Sequence, residues 1–379
     1  MKGKIIFGLL FVCLLISCGG STPKGAPQQG DTLALRHAEK IVIVNHKDYT
    51  EVTLADPWNK GKTLHHYLLV PAGAKLPERL PKGTVVRTPL SRAVISTSVH
   101  CGLIEQLGRA EAIAGVCDVQ YIHLPWVQQR VKAGKIKDCG SGLQPTLETI
   151  ITLNPDAIFL SPFQNSGGYG RLEKLGIPII EMADYMETSA LGRAEWMRFY
   201  GLLFGAYDKA DSLFCDVEKN YRQYAGMFAK QTDTPSSPKK QVLMDKITGS
   251  VWYVPGGKST IGRMLQDAGA IYPWSDDDSS GSLQLTFENI LERAAQSDVW
   301  LFRYNAPHPI TLGELLSEKA GYRQFRAFQT GEVYGCNTAT STFYEDTPFH
   351  PDLLLRDFIT ITHPEINLGE PRYFIKVKK

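Results

Sequence analysis

The sequence predicts an α/β protein of two pseudo-symmetric lobes with mostly parallel sheets, joined by a long helix and preceded by an N-terminal β-hairpin. Three observations carry that expectation. The chain has 379 residues, more than one ordinary core accommodates and suited to two domains of roughly 100–200 residues each. Short β-rich runs alternate with helical ones on both sides of the longest helical signal, the pattern of parallel strands with crossover helices. One short phrase is also written twice: "GLQPTLETI" at 142–150 returns as "SLQLTFENI" at 282–290, 140 residues later.

The elements follow in order. Residues 40–71 hold two alternating runs, "YTEVTLADP" and "LHHYLLVP", on either side of a turn glycine, Gly61, and read as a β-hairpin in an extension over 40–86. A first lobe over 87–183 opens with a buried strand at Ala93 to Thr97. It continues as helix "GLIEQLG", strand "AIAGVC", helix "TLETIITLNP", strand "DAIFLSP", helix "GRLEKLG" and strand "IPIIEM". In a connector over 184–239, apolar and aromatic residues recur at three- and four-residue steps. That predicts two helices meeting near Gly205, with the stripe buried as core. A second lobe over 240–379 runs through strands "QVLMDKI" and "VWYVP", helices "TIGRMLQDAG" and "LTFENILERAAQ", strand "DVWLFR", helix "TLGELLSE", strand "GEVYGC" and helix "PDLLLRDFITITHP". A cleft between related lobes is expected, and in open α/β sheets ligands lie beyond the carboxyl ends of the strands.

The N-terminus reads as an export address. Lys2 and Lys4 precede an apolar run from Ile5 to Ile16, too short to span a bilayer, so 1–17 is assigned as a signal peptide. Its end, Leu15-Ile16-Ser17-Cys18-Gly19, resembles a bacterial lipobox, in which Cys18 receives lipid and becomes the first mature residue. Residues 18–39 then form a lipidated flexible tether, rich in Gly, Ser, Pro and Gln near its start. The expected location is a bacterial membrane surface, facing the periplasm or the cell exterior, anchored without crossing. A net charge of +2 argues against a nucleic-acid partner. Past Cys18, Cys101, Cys117, Cys139, Cys215 and Cys336 form no CxxC pair. They read as buried hydrophobes, one disulfide being left open.

"PGGKST" at 255–260 ends like a phosphate-binding loop, but Trp252 stands where the first glycine is required. It reads instead as a turn opening a helix. No histidine pair has helical i, i+4 spacing, so no metal site is predicted, His100, His123 and His308 being the residues to watch. There is no GxSxG, and the neighbours His100 and Cys101 point in different directions. No catalytic residue and no cofactor are expected. Loop aromatics say more: Tyr121, Trp126, Phe163, Tyr169, Trp252, Tyr253, Tyr304, Phe343 and Tyr344, with Arg303 and His308, are the candidate ligand contacts. Rings with a few polar groups suit a bulky, partly planar or anionic ligand. Glu148 and Glu288 fall in the first turn after Thr146 and Thr286. Complementing the helix dipole there contributes about 0.3–1 kcal/mol, which explains an acid but not the shared Leu-Gln and Thr.

The lipobox, "RTPLSRAVISTS", "GLIEQLG", "TLETIITLNPDAIFL", "RLEKLGIPII", the connector's "GLLFG" and "FQTGEVY" together resemble the solute-binding proteins of ABC importers for iron-siderophore complexes, haem and vitamin B12, over about 87–365. The resemblance implies a monomer whose two α/β lobes, joined by a rigid helix, hold a chelate that brings its own metal, with little closure and no catalysis. It also implies that Glu148 and Glu288 dock onto arginines of a permease dimer, one carboxylate per half of a two-fold partner. An iron chelate, siderophore or haem, is the leading ligand and a corrinoid the alternative. In the best-known B12 binder of that family a tryptophan stacks on the corrin six residues before each docking glutamate; here those positions are Gly142 and Ser282, leaving Trp126 or Trp252 as substitutes. A free zinc or manganese binder and a chelatase-like enzyme of similar architecture are the remaining readings.

Overall fold

Alternating apolar residues in 41–45 and 50–55 put Ile41, Ile43, Val52 and Leu54 on one buried face, the period of a half-covered sheet. The computed structural model describes residues 30–164, 168–228 and 238–379; the signal peptide, Cys18 and residues 19–29 of the expected tether lie outside them. Residues 30–39, also expected as tether, are instead folded onto the protein, Asp31 and Thr32 pairing as a strand and the N–H groups of Arg36, His37 and Ala38 donating to Glu195. Strands β1 (Asp31–Thr32), β2 (Ile41–Asn45), β3 (Thr50–Ala55), β4 (Thr63–Pro71) and β5 (Thr84–Thr88) form one sheet in that order, antiparallel except for β4 with β5. The expected hairpin is therefore the β3–β4 centre of a five-stranded sheet spanning 31–88. Its outer strands were illegible locally, because β1 has two residues and β5 returns in parallel through the loop at 72–83.

The first lobe carries a parallel sheet of order β10-β9-β6-β7-β8, from β6 (Ala93–Ile95), β7 (Ile113–Val116), β8 (Lys137–Asp138), β9 (Ala157–Leu160) and β10 (Ile179–Glu181). Both faces are apolar, as a covered parallel sheet requires. Ala93, Ile95, Phe159 and Ile180 enter the main core, while Val94, Ile158 and Ile179 join a smaller cluster with Ile150. Its helices are α1 (Ser98–Gln106), α2 (Pro125–Lys132) and α3 (Leu147–Leu153). The expected helix at "GRLEKLG" is only a 3-10 turn, Glu173–Leu175, because Gly170 and Gly176 take left-handed φ of 57° and 68° on either side. Helix α2, which Pro125 opens at its first turn, was not anticipated.

The connector is three helices, α4 (Ala190–Glu195), α5 (Met197–Leu203) and the 20-residue α6 (Tyr207–Gly226), with the α5–α6 junction at Gly205 as expected. Its stripe of Trp196, Phe199, Tyr200, Leu203, Phe204 and Phe214 is wholly buried.

The second lobe contains β11 (Val242–Met244), β12 (Ile247–Thr248), β13 (Val251–Pro255), β14 (Ser282–Leu285), β15 (Val299–Tyr304), β16 (Val333–Asn337) and β17 (Ile375–Lys376), with α7 (Thr260–Asp267), α8 (Phe287–Ala294), α9 (Leu312–Glu318), α10 (Arg326–Thr330), α11 (Phe343–Asp346) and α12 (Pro351–Thr362). One sheet runs β11-β15-β16-β17, parallel but for β17, and a separate antiparallel sheet runs β12-β13-β14. The duplicated phrase thus diverges in structure. "SLQL" is strand β14, whereas "GLQP" is a loop closed by a bridge from Gly140 to Pro145. At "PGGKST", Ser259 caps α7 by accepting the Gly262 N–H, and a Cβ on Gly257 would lie 2.4 Å from the Trp274 carbonyl. Close packing of backbone explains those glycines.

One core cluster runs through the N-terminal sheet, the connector and both lobes, from Ile41 to Val377. Between the lobes, α1 packs on α11, and His350 Nε2 lies 2.6 Å from Gln106 Oε1. Cys101, Cys117, Cys139, Cys215 and Cys336 are all free, and only Cys215 is exposed.

Candidate functional site

Strands β6, β7 and β8 run outward on one side of the first-lobe sheet, and β9 and β10 on the other. The order reverses between β6 and β9, and at such a switch point the loops leaving two adjacent strands part and open a crevice. A cavity of about 310 Å³ lies there. Ser96 and Thr97 follow β6, Asp118 follows β7, and Leu160 and Ser161 end β9; Leu143, Phe163 and Tyr169 supply the apolar and aromatic lining. Larger hollows of about 720 and 640 Å³ lie elsewhere. The first is flanked by α6 and α7, and the second by Asp298 and Glu332 at the amino ends of β15 and β16, so neither has the geometry of a strand-end site.

The cavity is held by short-range constraints. Asp118, at a left-handed φ of 49°, turns its carboxylate to accept the Gly142 N–H at 2.9 Å. A Cβ on Gly142 would meet that oxygen at 2.9 Å and the Ser96 carbonyl at 3.0 Å, so the first letter of the repeated phrase is a packing requirement. Tyr169 is fixed at both ends, its N–H by Glu173 Oε1 at 2.6 Å and its hydroxyl, donating, by Glu181 Oε1 at 2.9 Å. Burial and the Glu181 carboxylate push the Tyr169 phenol well above its ordinary pKa. It presents the cavity with a neutral hydroxyl and a ring face. Behind the cavity, burial raises the Cys117 thiol to about 12 and that of Cys139 to about 11, which makes both inert.

Of the eleven candidate contacts, the structure brings Phe163 and Tyr169 together in this cavity. Tyr121 stands exposed just after β7, and Tyr253 and Tyr344 are each nearly half exposed in the second lobe. Arg303, at the end of β15, makes a two-pronged pair with Asp245 at 2.9 and 2.6 Å. Tyr304 lies on Gly335 and accepts the Ile310 N–H, and exposed His308 faces Glu314 at 3.6 Å. Trp126 is half-buried in the first turn of α2, its indole N–H buried without a partner among the described residues. Two candidates are corrected. Trp252 is fully buried among Trp300, Phe287, Tyr322 and Phe325 and donates to the Met244 carbonyl, so no ligand stacks on it. Phe343 is core, edge-on to Tyr373 and Phe374. Sequence reasoning missed Ser96, Thr97, Asp118 and Ser161. Their position immediately after predicted strands was the available signal, and aromatic content distracted from it.

Glu148 and Glu288 occupy equivalent exposed places in the first turns of α3 and α8. Among the described residues neither carboxylate has an ion pair or side-chain hydrogen bond. Thr286 closes a capping box with Asn289, whereas Thr146 caps without a side-chain bond. Among the described residues no three His, Cys, Asp or Glu side chains converge on a metal position, and no helix is long and apolar enough to cross a membrane.

Comparison with known proteins agrees with this architecture. A lipoprotein of Methanocaldococcus jannaschii is 27% identical over 300 residues, covering 76% of this chain and 69% of its own. Among solved structures, a possible iron-binding periplasmic solute-binding protein of Staphylococcus epidermidis superposes with a TM-score of 0.55 at 19% identity, over 73% of this chain and all of its own. A periplasmic haem-binding protein of Pseudomonas aeruginosa gives 0.57 at 16%, over 76% of this chain and 99% of its own. At such identities the likeness establishes the fold. The periplasmic binding protein model matches residues 94–340, the first lobe, the connector and most of the second lobe, and the chain belongs to that family.

Proposed function

We propose that this protein is the lipid-anchored substrate-binding component of an ABC importer, capturing an iron chelate and handing it to the permease. The carrying observation is the cavity at the switch point of the first-lobe sheet, which Ser96, Thr97, Ser161 and Asp118 line together with aromatic and aliphatic residues. Such a mixed surface suits an organic shell with polar groups at its edge. Exposed Tyr344 and the paired Arg303 stand near the carboxyl ends of second-lobe strands and are assigned to the opposing wall. The iron-binding and haem-binding proteins among the structural neighbours support the ligand class.

Glu148 and Glu288 are assigned to permease docking, supported by their matched positions and free carboxylates. Cys18 is assigned as the lipidation site, supported by the lipoprotein relative. The test is titration of intrinsic tryptophan fluorescence with ferric siderophores, haem and cobalamins. Saturable binding of an iron chelate is the expected result, and no binding to any compound would overturn the ligand class. Cys18→Ser should move the protein from the membrane to the soluble fraction.

A further inference from the structure

The N-terminal sheet, residues 31–88, lies outside the 94–340 stretch that the family model matches, yet it reaches the cavity wall. Its Tyr67 hydroxyl donates to the Ile179 carbonyl at 3.0 Å and accepts the Glu181 N–H at 2.8 Å, satisfying backbone groups of β10, the edge strand of the first-lobe sheet. Beside it, His65 stacks on Tyr67 with ring centroids 4.2 Å apart. His65 Nδ1 lies 2.7 Å from Glu181 Oε2; a carboxylate only accepts, so this nitrogen carries the proton. The other ring nitrogen lies 2.8 Å from Thr84 Oγ1 on β5. Glu181 spends its remaining oxygen on the Tyr169 hydroxyl at 2.9 Å.

We propose that Thr84, His65 and Glu181 form a positioning chain for Tyr169, which makes the N-terminal sheet a working part of the ligand site. The inference rests on reading the cavity as that site. Glu181 is buried and cannot turn to another partner without stranding His65, so its direction is set from the added sheet. The Tyr169 proton is committed to Glu181, and the oxygen offers the cavity only lone pairs. The pocket wall is therefore a fixed acceptor and ring face, which selects ligands that present a donor or a flat apolar surface there. A fixed ring also binds with less ordering cost than a free one.

Two readouts test it. The first needs no ligand: fluorotyrosine placed at 169 should give one sharp fluorine resonance in the native background. The line should shift or broaden in His65→Ala and Glu181→Ala and return in His65→Asn, whose amide N–H can replace Nδ1–H. The second is a double-mutant cycle on whichever chelate binds the native protein. His65→Ala should weaken binding about tenfold alone and have no effect in a Tyr169→Ala background, since a residue acting through another is non-additive with it. An unchanged resonance in His65→Ala, or additive losses, overturns the proposal. If no chelate binds the native protein, the proposed function fails while the resonance still decides the positioning. Melting curves of each variant exclude loss of fold as the cause.

Discussion

Glu195 offers the sharpest test of how the N-terminal segment is held. Its carboxylate, 1% exposed, accepts the backbone N–H groups of Arg36, His37 and Ala38 at 3.0, 2.7 and 2.9 Å and pairs with Arg198. Three converging amides replace water around a buried charge, so removing the charge costs more than any one bond. In Glu195→Gln the amide nitrogen must face a backbone N–H, donor against donor, and Asp211 is left as the one carboxylate paired with Arg198 among the described residues. Breaking a buried pair on one side costs about 3–5 kcal/mol. At about 2–4 °C per kcal/mol for a chain of this class, the midpoint should fall by about 6–20 °C. Differential scanning calorimetry measures the fall, and hydrogen exchange should show residues 36–45 losing protection first. A shift under about 3 °C with unchanged exchange would refute the account, because the amides would then have other satisfactory partners.

Further outcomes follow from the site and the lobes. Glu148→Arg with Glu288→Arg should abolish uptake while leaving chelate affinity within about twofold, since their carboxylates touch nothing in the cavity; normal uptake in the double variant removes the docking assignment. Gly142→Val places a Cβ 2.9 Å from Asp118 Oδ2 and 3.0 Å from the Ser96 carbonyl. It should cost about 1–3 kcal/mol of stability and weaken chelate binding, measured by melting and fluorescence titration. Asp184 titrates below its ordinary 3.8: burial opposes this, and Arg193 with His100 outweighs it. The unfolded chain then takes up the proton first, so the contribution is complete above pH 3.8 and is lost as pH falls through the native value. Asp184→Asn should flatten that part of the acid stability profile. Small-angle scattering should show no resolvable change on ligand addition, because α1–α11 packing and one continuous core already join the lobes.

The sequence by itself determined the order and kind of most elements, because apolar periodicity and glycine stops act within a few residues. Strands at Ala93, Ile113, Ala157, Ile179 and Val299, the helical stripe of 196–214 and the helix starts at Thr146 and Thr286 were all legible this way. The doubled phrase announced two related lobes. Tertiary structure alone decided what those elements face. Trp252 and Phe343 are aromatic like Phe163 and Tyr169, yet partners distant in sequence turn the first pair into core and leave the second on the cavity. The N-terminal sheet, read locally as a hairpin, gained β5 through a parallel return and reached Glu181 across 116 residues of chain. No local pattern encodes such a contact, since it is made only when separate strands bring His65 and Glu181 to the same buried edge.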